Sequence, residues 1–74
     1  MRRGDVVMFT DHGPYKRWFY GKIGTIYNAV GRNVSVRWLM PVSYIDMKNV
    51  TKSNFSADYF TLMRASDESR RFDI

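Results

Sequence analysis

Across residues 34–39, Val34, Val36 and Trp38 alternate with Ser35, Arg37 and Leu39. A period of two places the two sets on opposite faces of a strand. One face is therefore apolar and buried, and the other displays Arg37. The first two-thirds of the chain repeats this pattern of short β-prone runs divided by turn residues, which is how a small all-β domain is written.

The run Asp5-Val6-Val7-Met8-Phe9-Thr10 follows Gly4 and predicts a first strand over residues 5–10. A long loop comes next, from Asp11 through Gly13-Pro14 to Gly21. Residues 22–30 predict a second strand, in which Gly24 implies a bulge or a close approach of a neighbouring backbone. Gly31-Arg32-Asn33 is a tight connection into the strand at 33–39. Met40-Pro41 interrupts that strand, because proline cannot donate to a central ladder, and residues 42–48 are expected to fold back on it as a hairpin. Residues 52–63 fit either a helical turn or a turn followed by a strand. A short 3₁₀ turn at 53–57 and a last strand at 58–64 are the expectation, with residues 1–65 as the domain and 66–74 as a polar tail.

A chain of 74 residues without cysteine has no disulfide to support it and must rely on its core. Five Phe, five Tyr and two Trp supply that core, since aromatic side chains bury the most area per residue. No apolar run approaches the roughly 18 residues that cross a bilayer. The charged opening Met1-Arg2-Arg3-Gly4-Asp5 has no apolar stretch of signal-peptide length behind it. These features predict a soluble cytoplasmic protein with no membrane partner.

The run Gly4-Asp5-Val6-Val7, then Gly13-Pro14-Tyr15, then Gly21-Lys22-Ile23-Gly24-Thr25-Ile26 resembles the KOW motif of ribosomal proteins and transcription elongation factors. The likeness spans roughly residues 4–38 and implies a five-stranded SH3-like barrel. The first loop is longer and more aromatic than that motif, with Trp18-Phe19-Tyr20 where a plain glycine-rich turn is common.

Catalytic chemistry finds little here. A nucleophile needs an adjacent base, and the chain has no thiol and one histidine, His12, read as a surface loop residue. One histidine and no cysteine also make a poor metal site. Asp5, Asp11 and Asp46 share no spacing that would pair them as acid and base, and the glycines match no nucleotide-binding fingerprint. A non-enzymatic protein with no cofactor and no metal is expected.

The strongest functional signal is Tyr15-Lys16-Arg17-Trp18-Phe19-Tyr20, four aromatic rings and two cations in six residues. Loops run over the surface, so some of these rings are expected in solvent. There, exposed rings stack on unpaired bases and Lys or Arg contacts phosphates. Tyr15, Lys16, Arg17, Trp18 and Phe19 are the expected binding residues of the loop, with Tyr15 and Phe19 as the better stacking candidates; the alternative is that Trp18 and Tyr20 fold back as lids over the barrel end. Lys22, Arg32, Arg37 and Lys48 are expected to extend the basic surface, and Trp38 is read as core.

Residues 1–52 hold nine basic and three acidic residues (+6), and residues 53–74 hold three and four (−1). The chain's pI near 9.9 is the usual electrostatic footprint of a nucleic-acid binder, and residues 1–52 carry all of the excess charge. The expectation is a module of low sequence specificity that binds DNA or RNA, because no recognition helix is available for the major groove. The competing expectation is a small regulator or inhibitor that docks on a larger protein through the same loop, since aromatic and arginine residues also make protein hot spots.

Overall fold

The computed structural model describes residues 1–66. Five antiparallel strands form one sheet: β1 (Val6–Phe9), β2 (Ile23–Val30), β3 (Asn33–Tyr44), β4 (Met47–Ser56) and β5 (Phe60–Arg64). Their order across the sheet is β4-β3-β2-β1-β5. A single helical turn, α1 (Lys16–Phe19), lies between β1 and β2, and a 3₁₀ turn at Ala57–Tyr59 precedes β5.

The alternation expected at 34–39 is present. Val34, Val36 and Trp38 are buried and Arg37 and Leu39 are exposed. Opposite them on β2, Gly24 and Ile26 point inward, paired with Trp38 and Val36. A Cβ on Gly24 would press into Val36 Cγ1 and lie 2.7 Å from the Arg37 carbonyl oxygen. Glycine at 24 is what lets β2 and β3 approach so closely.

The sheet curls around an aromatic interior. Phe9 on β1 contacts Phe19, Phe55, Tyr59 and Phe60, with ring centroids 5.2–5.8 Å apart. Phe55 on the β4 edge also reaches Phe60 on the β5 edge, centroid to centroid 6.1 Å. The two edges thus meet through side chains, but no ladder joins β4 to β5. The all-β, five-stranded expectation holds, and hydrogen-bonded closure into a barrel is not present.

The segment before β1 and Ser66 after β5 are clasped to this body. The Asp5 carboxylate is buried and accepts hydrogen bonds from the Arg2 N–H (2.8 Å) and the Ser66 N–H (2.7 Å). The Gly4 N–H donates to the Ile26 carbonyl, and the Ile26 N–H to the Asp5 carbonyl. Ser66, expected to begin the polar tail, is buried against this clasp. The remainder of that expected tail, residues 67–74, lies outside the described residues.

The largest correction concerns residues 40–56. They were expected to form a strand at 42–48 paired back on 33–39, followed by a turn at 53–57. Instead β3 runs unbroken through Pro41 to Tyr44, and the hairpin turns at Ile45-Asp46. Pro41 is tolerated because the β3–β4 pairing shifts register between Arg37 and Val42, and β2 stops pairing at Trp38. Beyond Trp38 the β3–β4 hairpin is therefore a two-stranded arm. The second half of β4 was hidden because one inward position is polar. Ser53 sits beside Val36 and its Oγ accepts the indole N–H of Trp38 at 3.0 Å. A serine that satisfies a buried indole gives no apolar alternation to read.

Candidate nucleic-acid interface

The loop between β1 and β2 contains α1, which the sequence reading did not anticipate. The Phe19 and Tyr20 N–H groups donate to the Tyr15 and Lys16 carbonyls, which closes the turn. This turn separates the side chains into an inner and an outer set. Phe19 is 2% exposed and packs on Phe9, Trp38, Tyr44 and Phe55. The expectation that Phe19 stacks on a base from the surface is thereby corrected, since a ring this deeply buried among other rings presents no exposed face in the loop. Tyr20, for which a lid was the alternative, is an exposed residue. Parity in the loop gave the wrong faces because a helical turn, not a strand, sets them.

Trp18 is half-buried, standing edge-on to Tyr44 at 5.0 Å, as a lid would. Tyr15 is also half-buried, against Phe19, Tyr44 and Phe55. Lys16 and Arg17 are exposed, each beside an aromatic ring. Arg17 Cζ lies 5.3 Å from the Trp18 ring centroid, and Lys16 Nζ lies 5.8 Å from that of Tyr20. The His12 ring also packs on Tyr20, at 5.1 Å.

A second cluster lies on the outer face of the sheet. Arg37 on β3 faces Lys52 on β4 directly across the ladder. Both cations reach the Tyr27 ring on β2, Arg37 Cζ at 5.8 Å and Lys52 Nζ at 5.6 Å from its centroid. Like charges placed opposite one another destabilise a sheet, and the cation–π contacts offset part of that by roughly 0.5–1 kcal/mol each. None of the five strands contains an Asp or a Glu. One transverse line of the sheet carries Lys52, Arg37, Thr25, Val6 and Arg64 in register, three cations on five strands.

The remaining candidates are scattered. Lys22 ends the α1 segment and is exposed, its carbonyl accepting the Phe9 N–H. Lys48 is exposed on the two-stranded arm. Topology puts α1, Lys22 and the arm at one end of the sheet. Arg32 lies in the β2–β3 turn at the opposite end, with its carbonyl bound to the Ala57 N–H. Tyr27 and Lys52 were missed. Tyr27 was legible, being one residue past the inward Ile26. Lys52 was not, because its strand was not recognised.

No family model matches the chain, and no curated protein or solved structure is significantly similar to it. Among the described residues no helix is long and apolar enough to cross a membrane.

Proposed function

We propose that this protein is a non-enzymatic nucleic-acid-binding module, DNA or RNA, that reads the backbone and stacks bases with little sequence preference. One observation carries the reading: Arg37 and Lys52 face each other over Tyr27 on a sheet whose strands hold no acidic residue. Two like charges in that arrangement are costly alone and favourable beneath a phosphate. Tyr27 then offers an exposed face to a base. Lys16, Arg17 and Tyr20 on α1 supply a second group of the same composition. The strand order and the 3₁₀ turn ahead of β5 support reading the fold as SH3-like, in keeping with the KOW-like run over residues 4–38.

The reading is tested by fluorescence anisotropy of a labelled single-stranded oligonucleotide titrated with the protein over a series of salt concentrations. Affinity in the micromolar range that falls steeply with salt is expected, because phosphate contacts release counterions. A folded protein with no salt-dependent affinity at micromolar concentration removes the proposal.

A protein partner is the second reading, and it has its own observation. Leu39 and Met40 are 75% and 73% exposed and lie beside Ile23 at the base of the arm. An apolar patch of this kind suits a regulator or inhibitor that docks on a larger protein. Capture of one partner from extract, unaffected by nuclease and lost in Leu39→Ser, would favour it.

A further inference from the structure

Between α1 and β4 lies an open groove of about 350 Å³, lined by Tyr15, Phe19, Tyr44, Val50, Lys52 and Phe55 among others. Its aromatic walls are set at angles to one another. Tyr15 stands edge-on to Phe55 at 5.1 Å and tilted against Tyr44 at 6.1 Å. Polar groups stand at the rim. Asn54 also borders the groove, while its side chain lies on the outer face, where its Oδ1 accepts from the Ser35 Oγ. The lining includes a lysine and no carboxylate.

We infer that this groove receives one unpaired nucleobase of a bound single strand. The inference rests on the nucleic-acid reading above and specifies how the strand is held. A base has apolar faces for the rings and a polar edge that stays toward solvent at the open mouth of the groove. Lys52 supplies the continuity, because it borders the groove while its ammonium stands over Tyr27 on the outer face. A phosphate held by Arg37 and Lys52 therefore sits between two aromatic positions, the exposed Tyr27 ring and the groove. A duplex keeps its bases stacked and paired and cannot fill the second position, so single strands are preferred.

The test is NMR titration of the full chain with pentathymidylate and with a pentamer of the same backbone lacking bases. Pentathymidylate is expected to shift the ring resonances of Tyr15, Tyr44 and Phe55, and the abasic pentamer to leave them in place while moving the amides of Arg37 and Lys52. The affinity ratio between the two is expected to be roughly tenfold, the scale of a stacked base. Val50→Trp, which fills the groove, should reduce that ratio severalfold if it folds. The wild-type comparison stands without it.

If both pentamers move only the amides around Arg37 and Lys52, the groove inference fails and the nucleic-acid reading survives as backbone binding. If neither pentamer moves any resonance, both fail. Shifts of the groove rings by a proline-rich peptide and not by pentathymidylate would assign the groove to a protein partner and overturn the inference.

Discussion

The body of the sheet and the β3–β4 arm are built from the same strands under different constraints. In the body, β3 is flanked on both sides, and Val34, Val36 and Trp38 face Ile26 and Gly24 across a continuous interior. In the arm, residues 39–44 pair with β4 alone, the register shifts twice, and Leu39, Met40, Ile45 and Met47 are exposed. Ile45 and Asn49 adopt positive φ, +51° and +60°. Val42, Tyr44 and Val50 tie the arm down, through the core and the α1 rings. The comparison separates two tasks. The body specifies the fold, and the arm with α1 frames the groove beside the cationic face.

The comparison breaks most severely at Phe19. It lies in α1 but is buried against Phe9, Trp38 and Phe55 of the body as well as Tyr44 of the arm, so Phe19→Ala should cost about 3–5 kcal/mol, the scale for emptying a buried aromatic site. Chemical denaturation reads this directly. An unchanged midpoint would mean that α1 is an appendage and that the body closes without it.

Gly24 tests the body itself. Ala at 24 must displace Val36 or the Arg37 backbone, and the expected loss is about 1–3 kcal/mol, as for other overpacked interiors. If thermal unfolding shows Gly24→Ala to be neutral, the β2–β3 approach is looser than the geometry requires.

Tyr27 sharpens the contrast between folding and binding. Its ring is exposed on the outer face and holds two cation–π contacts, so Tyr27→Ala should lower stability by roughly 1 kcal/mol. The same change should weaken single-strand binding by roughly 1–3 kcal/mol. Binding unchanged in the folded variant would make Tyr27 a packing residue.

The smallest effect is expected in the arm. Ile45 is a β-branched residue held in the left-handed region at a two-residue turn, where asparagine is better tolerated. Ile45→Asn should raise stability by about 0.5–1 kcal/mol. A loss of that size in differential scanning calorimetry would show that the Ile45 side chain packs on something that holds the turn.

The same division explains what could be read from the sequence. Val34, Val36 and Trp38 announced their strand because both neighbours of β3 bury the same face. The close approach at Gly24 was legible for the same reason. Residues 48–56 were not, because β4 is an edge strand whose inward positions include Ser53, a hydrogen-bond acceptor for Trp38. The site followed suit. Of the candidate residues, Lys16, Arg17 and Arg37 could be picked out from charge and alternation, whereas Lys52 was lost with its strand. Phe19 was misplaced because a single helical turn leaves no periodicity long enough to detect.

The central claim is that the cations of the sheet face and of α1 bind one polyanion. Its most direct test is the slope of log affinity against log salt for wild type, Arg37→Ala/Lys52→Ala and Lys16→Ala/Arg17→Ala on a single-stranded oligonucleotide. Each lost phosphate contact should make the slope shallower by about 0.7, hence by about 1.4 for either pair and about twice that for the four changes combined. Folded variants whose slopes match the wild type would contradict the account.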